Sequence, residues 1–218
     1  MRKIVLLLFP LIAFAQMDFN LSNYKRQLQA YVSSGAYEFD QWRAIKPAMH
    51  YLAHHNFSEN SAIVFDIDET LLSNYQSMQA VGFGGNSEIF HENEMLANAE
   101  LIPASFALYK AALAKGLKVF IITGRGIMVQ AATIKNLKLR GIDQYESIEF
   151  WHGKKPATVL SYKSNARCAI ERAKYHIVLN VGDQASDLVG PCRGDVAVKL
   201  PNPFYAIPAD QLKRSFAY

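Results

Sequence analysis

Several features that mark other classes of protein are absent from this sequence. The 218 residues contain no low-complexity tract and no repeating period, which excludes a repeat array and favours one compact domain. The apolar stretch near the N-terminus, Ile4 to Ala15, is too short to span a bilayer comfortably and contains Pro10, so we do not interpret it as a membrane anchor. Half of the residues are hydrophobic, which is enough for a core of ordinary size.

That apolar stretch has the form of a secretory signal. It follows a positively charged start and ends in the small-x-small triplet Ala13-Phe14-Ala15. We predict a signal peptide over residues 1–15 and a mature chain over residues 16–218. The residue immediately after the predicted cleavage site is Gln16, whereas a lipid anchor would require a cysteine there. We therefore expect a mature protein free in the periplasm or outside the cell, with no membrane association.

A strong excess of charge is also missing. The formal net charge is +4, and removal of Arg2 and Lys3 with the signal peptide lowers it by two, to +2. This charge is too small and too dispersed to indicate nucleic-acid binding.

Cysteine is scarce, since Cys168 and Cys192 are the only two. In an oxidising compartment they could form a disulfide across a loop of moderate length. Two thiols could equally be small buried hydrophobic side chains. The sequence leaves both alternatives open.

Residues 16–60 predict a helical layer. Apolar residues at helical spacing between Tyr24 and His55 predict two helices, separated by the segment SSGAYEFD, Ser33 to Asp40. The aromatic residues of this region and the next are interpreted as core rather than as a substrate platform: Tyr37, Phe39, Trp42 and Tyr75.

From Ser61 the pattern changes to alternating strands and helices. The apolar runs SAIVFDI, KVFIITG, SIEFW, HIVLNVGD and DVAVKL read as strands, with the helical segments PASFALYKAALAKG, IMVQAATIKNLKLRG and KSNARCAIERAK between them. Continuous apolar strands separated by helices predict an α/β fold, a Rossmann-like parallel sheet with helices on both faces. The predicted core spans residues 61–200, with a small cap insertion at residues 71–102 after the first strand.

Acidic residues follow two of the predicted strands. Asp66 and Asp68 end the first strand, and side chains two residues apart point to the same side, so both can face the crevice at the carboxyl edge of the sheet. Asp183 ends the strand HIVLNVGD, and Asp187 lies one helical turn later. Four carboxylates gathered together repel one another unless a cation is present, and ligands that are all oxygen favour Mg²⁺.

Two further positions supply groups that bind phosphate. Thr123 and Gly124, after KVFII, offer a hydroxyl and a backbone N–H at the predicted start of a helix. Lys163 offers a positive charge. The sequence therefore combines acid, hydroxyl, lysine and acid groups at successive strand ends.

This constellation resembles the four motifs of the haloacid dehalogenase (HAD) superfamily, here DIDET, ITGR, YKSNAR and GDQASD. The longer segments FDIDETLLSN, SYKSNAR and KLPNPFYAIP are similar to the secreted acid phosphatases of subfamily IIIB. That group includes bacterial class B and C enzymes and the plant vegetative storage proteins. The resemblance covers nearly all of the mature chain.

The resemblance implies a mechanism and a set of site residues. Asp66 would be the nucleophile that forms an aspartyl-phosphate, and Asp68 the general acid and base. Mg²⁺ would be held by Asp66, the backbone carbonyl of Asp68 and Asp183, with Asp187 as a further ligand or as a group that orients one. The groups that would hold the transferring phosphate oxygens are Thr123, Gly124 and Lys163.

Other features are interpreted as structural. HENE, His91 to Glu94, has two possible metal ligands at i, i+3 spacing, but it lies in the insertion, so we predict a solvated surface. GFGG, Gly82 to Gly85, lacks the context of a phosphate loop and reads as a flexible link. Arg125 could bind substrate or pair with an acid, so we leave it outside the predicted catalytic set. Trp151-His152 is a candidate contact at the rim of the site.

Three functions are compatible with these residues. The first is a secreted, Mg²⁺-dependent acid phosphatase that hydrolyses small phosphate monoesters. The second is a phosphotransferase that gives the same phosphoryl group to an alcohol. The third is a non-catalytic storage or binding protein on the same scaffold. Asp66 and Asp68 argue against the third, because some plant storage relatives are implied to have lost the nucleophile.

Overall fold

The computed structural model describes residues 20–84, 87–152 and 158–207, so the predicted signal peptide lies outside the described residues. Helices and strands alternate along the chain as predicted. The helices are α1 (Leu21–Ser33), α2 (Ala36–His54), α3 (Tyr75–Ala80), α4 (Ser87–Met95), α5 (Pro103–Ala114), α6 (Gln130–Leu139), α7 (Val159–Arg172) and α8 (Ala185–Leu188). The strands are β1 (Ser61–Phe65), β2 (Leu72–Ser73), β3 (Glu100–Leu101), β4 (Lys118–Gly126), β5 (Ser147–Trp151), β6 (His176–Gly182) and β7 (Val196–Lys199).

Five strands form one parallel sheet in the order β5-β4-β1-β6-β7. The strand β1 lies at the centre, between β4 and β6, and all five of its residues are buried. Its continuous apolar sequence follows from this position, because a strand covered on both faces has no polar face. The predicted α/β fold with a parallel sheet is confirmed.

Helices cover both faces of the sheet. Phe65 of β1 belongs to the core cluster that contains Ile45 of α2 and Leu108 of α5. Its neighbour Val64 belongs to the opposite cluster, which contains Ile170 of α7. Adjacent strand residues point to opposite faces, so these two clusters are the two layers beside the sheet.

The predicted break between the first two helices is wrong in length. The helices α1 and α2 are separated only by Ser34 and Gly35, and the residues from Ala36 to Asp40 belong to α2. Gly35 has a φ of 80°, a left-handed conformation that glycine adopts at little cost and that permits so tight a turn. Nothing in AYEFD breaks a helix.

The position of the N-terminal helices also corrects two aromatic predictions. Tyr37 is buried, 5% exposed, as predicted for a core residue. Phe39 and Trp42 are 66% and 40% exposed and so are not core residues. The face of α2 that packs against the sheet carries Ile45, and residues away from that face remain in solvent.

The strand β4 is longer than predicted. It extends through Thr123 and Gly124 to Gly126, and a 3₁₀ turn at Ile127–Val129 precedes α6. The prediction that Thr123 and Gly124 lie at a helix start is therefore wrong. The helix α7 also begins earlier than predicted, at Val159, because Thr158 caps it by accepting the backbone N–H of Ser161 at 3.1 Å.

The segment predicted as a cap insertion contains α3 and α4. Its two ends are joined by the short antiparallel pair β2 and β3, and the backbone N–H of Ile102 donates to the carbonyl of Leu71 at 3.0 Å. This pairing closes the base of the segment, so that its helices stand at the carboxyl edge of the sheet. None of the helices in the described ranges combines the length and the apolar composition that a membrane-spanning segment requires.

The structure decides between the two alternatives for the cysteines. Cys168 of α7 and Cys192, after α8, form a disulfide with their Cα atoms 5.1 Å apart. The bond joins α7 to the segment that follows Asp187.

Candidate active site

The predicted acidic residues meet at one place. Asp66 directly follows β1 and Asp183 directly follows β6, and these strands are neighbours. Both residues line a cavity of about 720 Å³ at the carboxyl edge of the sheet, together with Asp68, Gly124 and Lys163. Parallel strands deliver their ends to the same edge, which is why residues more than a hundred positions apart in the chain share one cavity.

Three of the carboxylates form a compact group. Asp66, Asp183 and Asp187 each offer an oxygen, and these oxygens all lie within 4.8 Å of one another. All three residues are buried. Burial raises the pKa of Asp66 well above its usual value, with Asp187 and Asp183 adding to the effect and Lys163 opposing it. Burial, followed by the charge of Asp187, raises the pKa of Asp183 to about 6.

This donor set fits a divalent cation. Three buried carboxylates that share a single lysine are costly to ionise together, and a hard cation with oxygen ligands removes that cost. Gly182 contributes by its lack of a side chain, because a Cβ at that position would collide with the Asp187 side chain. Among the described residues, the Asp68 side chain is not part of this group of carboxylates, and the use of its backbone carbonyl as a ligand stays a prediction.

Lys163 lies between two of the acids. Its Nζ donates to Asp66 Oδ1 at 2.7 Å and also contacts Asp187. Burial alone would lower the pKa of Lys163, but the charges of Asp187 and Asp66 raise it, so the side chain stays cationic. The lysine therefore places a positive charge at the predicted nucleophile.

The Asp183 side chain is oriented by the C-terminal part of the chain. The Nδ2 of Asn202 donates to Asp183 Oδ2 at 2.6 Å, and the side-chain amide of Gln184 donates to the same oxygen. The Lys199 ammonium contacts the backbone carbonyl of Asp183. These contacts leave the carboxylate with a defined direction toward Asp66.

The Asp68 side chain points to a different set of partners. Arg125 and Asn74 both donate to it, the latter from Nδ2 at 2.7 Å from Oδ1. Burial acts to raise the pKa of Asp68, but the charge and hydrogen bonds of Arg125 outweigh it and hold that pKa below its usual value. Arg125, which the sequence analysis left outside the site, is thus a direct partner of the predicted acid and base.

The two predicted phosphate-binding residues of β4 have different environments. Gly124 lines the cavity. Thr123 is fully buried, and its hydroxyl oxygen accepts the backbone N–H of Arg125 at 3.1 Å. Thr123 therefore supports the end of β4 that carries Arg125.

The prediction that HENE is solvated surface is wrong for Glu94. Its side chain is only 14% exposed, and Oε1 lies 3.8 Å from Nε of Arg125. Burial, followed by the charge of Asp68, raises the pKa of Glu94 to about 7, while Arg125 opposes the rise. His91 is exposed but also lines the cavity. The helix α4 lies over the sheet edge, a position that helical spacing alone does not reveal.

Sequence reasoning also missed Glu69 and Tyr205. Glu69 is fully buried with a φ of 50°, and burial raises its pKa to about 8. It accepts hydrogen bonds from the backbone N–H of Asn74 at 2.6 Å and from the Tyr205 hydroxyl at 2.7 Å. The position of Glu69 inside the DIDET motif was the available signal, since a charged residue between buried ones requires partners.

Two predicted rim contacts lie elsewhere. Trp151 packs edge-on against Tyr162, with ring centroids 4.9 Å apart. His152 pairs with Glu149 at 3.7 Å. Among the described residues neither Trp151 nor His152 lines the cavity; its aromatic walls are Phe90 and Tyr205.

The parallel sheet and the carboxylate, lysine and cavity arrangement define an α/β enzyme of the HAD type. The sequence matches the family described as HAD superfamily, subfamily IIIB (Acid phosphatase), over residues 13–208. The chain therefore belongs to the HAD superfamily, subfamily IIIB, and is an enzyme of the phosphomonoesterase class.

Individual relatives agree with this assignment. The chain is 33% identical to the stem 28 kDa glycoprotein of Glycine max over 183 residues, which cover 81% of this chain and 72% of that protein. It is 37% identical to acid phosphatase 1 of Solanum lycopersicum over 155 residues, which cover 66% of this chain and 58% of that protein. Its fold is similar to that of the class C acid phosphatase from Bacillus anthracis, with a TM-score of 0.68, 26% identity and coverage of 84% and 86% of the two chains.

Proposed function

We propose that this protein is an exported, Mg²⁺-dependent acid phosphatase that hydrolyses small phosphate monoesters through an aspartyl-phosphate on Asp66. The observation that carries the proposal is the position of Asp66. It lies 2.7 Å from the Lys163 ammonium and within 4.8 Å of the oxygens of Asp183 and Asp187, and it lines a cavity large enough for a substrate.

The first half of the reaction forms the aspartyl-phosphate. A carboxylate oxygen of Asp66 attacks phosphorus, and the bond between phosphorus and the alcohol oxygen breaks. Because Arg125 lowers the pKa of Asp68, this carboxylate must first take up a proton, from acidic solution or from the phosphate monoanion, and it then gives that proton to the departing alcohol. Lys163 and the backbone N–H of Gly124 hold the phosphate oxygens in line for attack, with Thr123 supporting the strand end from behind.

The second half releases phosphate. Asp68, now ionised, takes a proton from a water molecule, whose oxygen attacks phosphorus while the bond to Asp66 breaks. The products are inorganic phosphate and the free Asp66 carboxylate. Arg125 supports this step because it holds Asp68 in its ionised, base form, and Asn74 fixes the direction of the same carboxylate.

A bound Mg²⁺ would be held by the carboxylates of Asp66, Asp183 and Asp187 and the backbone carbonyl of Asp68. It would supply a positive charge that neutralises the phosphate as it approaches the carboxylate nucleophile. The choice of Mg²⁺ follows from a donor set that contains only oxygen.

Export is supported by the disulfide. Disulfides persist in oxidising compartments such as the periplasm or the cell exterior, and Cys168–Cys192 is one. A relative described as a stem glycoprotein points the same way.

The test is hydrolysis of an aryl phosphate by wild type and Asp66→Asn, with Mg²⁺ and with a chelator. Asp143→Asn, at an exposed position outside the cavity, is the matched control. We expect Asp66→Asn to lose at least about 10³-fold in kcat with its fold intact, and the control to retain activity. Equal turnover by wild type and Asp66→Asn would exclude Asp66 as the nucleophile.

Two alternatives are distinguished by the same preparation. Vegetative storage proteins are among the relatives, and wild-type protein with no turnover would favour that function. Phosphate transfer to an added alcohol, measured as a new ester at the expense of inorganic phosphate, would favour a phosphotransferase.

A further inference from the structure

Arg167 is one of the largest fully buried side chains, at 1% exposure, and the charges of Asp187 and Glu171 act on it from beyond salt-bridge distance. Among the residues that the structure describes, no carboxylate lies within salt-bridge distance of its guanidinium, and its Nε has no hydrogen-bond partner. A buried charge is costly unless it is hydrogen-bonded. The remaining contacts of Arg167 therefore indicate what the residue does.

Apart from the Ser164 hydroxyl of α7, which accepts from Nη2 at 3.1 Å, those contacts are backbone carbonyls of a single segment, residues 186–191. The Nη1 of Arg167 donates to the carbonyls of Asp187 at 2.6 Å and Ser186 at 3.2 Å. The Nη2 donates to the carbonyl of Val189 at 2.5 Å. The fixed fork of a guanidinium suits several acceptors at once, which an ammonium cannot reproduce.

Arg167 and Lys163 hold Asp187 from the same helix. They are four residues apart on α7 and so share one face of it. Lys163 contacts the Asp187 carboxylate, whereas Arg167 contacts the Asp187 carbonyl. One helix face thus fixes both the side chain and the backbone of a residue that belongs to the acidic group.

The disulfide ties the same segment to the same helix. Cys168 is the residue after Arg167, and Cys192 is the residue after Pro191. Gly190 has a φ of 90°, and a Cβ there would lie 2.6 Å from Ser164 Oγ of α7, so glycine allows the segment to approach this closely. The helix α8 has only four residues, and Asn180 of β6 also donates from Nδ2 to the Asp187 carbonyl at 2.7 Å, a contact that every variant described below retains.

We infer that Arg167 is a positioning residue for Asp187, and that the Cys168–Cys192 disulfide is a second tether on the same segment, so that either tether alone keeps Asp187 in the metal-binding group. The inference rests on the proposed function, since it concerns how tightly the site binds Mg²⁺. When one of the two tethers is removed, the other still holds the segment. The effects of removing both on Mg²⁺ binding are therefore expected to exceed the sum of the separate effects.

The experiment compares wild type, Arg167→Met, the Cys168→Ser/Cys192→Ser pair and the triple variant. The apparent Mg²⁺ dissociation constant is obtained from the dependence of the melting temperature on Mg²⁺ concentration. We expect each single tether removal to weaken Mg²⁺ binding by less than about 3-fold and the triple variant to weaken it by about 30-fold or more, a coupling within the range for residues in one network. The control is Arg172→Met added to the Cys168→Ser/Cys192→Ser protein, here called the serine background or serine pair. Arg172 is an exposed arginine of the same helix, so this control should bind Mg²⁺ as tightly as the serine pair.

The outcomes separate the inference from the proposed function. If wild type binds Mg²⁺ and the triple variant shows only the product of the separate effects, the inference is overturned and the proposed function stands. If wild type shows no Mg²⁺ dependence, both are overturned. If melting temperatures in chelator fall but the Mg²⁺ constant does not change, Arg167 is merely structural and the inference is overturned.

Arg167→Lys in the serine background keeps the test decisive if the triple variant does not fold. It retains the charge but loses the fork. We expect Mg²⁺ binding about 10-fold weaker than in the serine pair, within the usual range of coupling between two tethers. Binding as tight as in the serine pair would overturn the inference, because charge without the fork would then be sufficient.

Discussion

The guanidinium of Arg125 contacts both carboxylate oxygens of Asp68. Its Nε lies 3.1 Å from Oδ1 and 3.2 Å from Oδ2, and its Nη2 lies 2.7 Å from Oδ1. The Arg125 side chain is 1% exposed and the Asp68 side chain 20% exposed. Breaking a pair this buried would leave one charge without compensation and so lower the stability of the fold. Exposed surface pairs contribute little to stability by comparison.

Arg125→Met should destabilise the metal-free protein by about 3 kcal/mol near neutral pH, the low end of the range for a broken buried pair because Asp68 is partly exposed. The pKa of Asp68 is lowered in the folded state, so this stability is present above the unfolded value of about 3.9 and is lost as the pH falls below it. The difference between wild type and variant should therefore shrink in acid. Urea unfolding in chelator, at neutral pH and at a pH below about 3.9, measures this difference in the free energy of unfolding.

Arg43→Met is the control for Arg125→Met. Arg43 pairs with Asp40 at 3.0 Å, but its side chain is 71% exposed, so we expect a loss below about 1 kcal/mol. Equal losses for the two variants would contradict a special role for the Arg125 pair.

Asp68→Asn should slow hydrolysis in a way that depends on the leaving group. For an alkyl phosphate we expect a fall of about 10²–10⁴-fold in kcat, because the poor leaving group needs a proton. For an activated aryl phosphate the first step should fall much less, and a burst of phenol should reveal phosphorylated Asp66. Rapid-quench kinetics on both substrates make the comparison, and an equal loss for both would argue against Asp68 as the acid.

Asp183→Asn should reduce the stabilisation by Mg²⁺. The pKa of Asp183 is raised to about 6, so the metal-free folded protein retains a proton that the unfolded chain releases, and stability falls as the pH rises from about 4 through 6. The asparagine introduced at this position does not titrate, so the Asp183→Asn variant does not lose stability in this way. In chelator above about pH 6 it should therefore melt at a higher temperature than wild type. Thermal melts with and without Mg²⁺ provide the measurement, with Asp143→Asn as control. The same Mg²⁺ shift in wild type and Asp183→Asn would mean that Asp183 is not a ligand.

Glu94→Gln should flatten the pH dependence of stability. Burial and the charge of Asp68 raise the pKa of Glu94 to about 7, so its proton stabilises the fold below about 4.3 and that stability is lost as the pH rises through 7. Melting temperatures across this interval should fall less in Glu94→Gln than in wild type. Glu92→Gln, an exposed residue of the same helix, should behave like wild type. If Glu92→Gln and Glu94→Gln give the same profile, Glu94 does not titrate in the folded state as described.

The fold and the central acids were predictable because their signals are local. A continuous apolar run such as β1 indicates a strand covered on both faces, and the acids at its end must then lie at the carboxyl edge. Asp66, Asp183 and Lys163 meet in the structure for this reason. The break between α1 and α2 was placed wrongly because a single glycine in the left-handed conformation replaced a longer loop.

The remaining parts of the site depend on contacts between segments that are distant in the chain. The sequence alone predicts Glu94 as a surface residue of a helix. Its burial follows only from the packing of α4 over Arg125 in the folded structure. Tyr205 and Asn202 belong to the C-terminal segment, where nothing local indicates that they donate to Glu69 and Asp183. Local patterns specify which residues form strands and which strand ends carry charge, since these follow from short-range periodicity and burial. Only the tertiary structure decides which side chains surround those charges and where each pKa lies. The predicted cap insertion, the C-terminal segment and the edge of the sheet must first pack together, because desolvation and hydrogen bonding act through space and not along the chain.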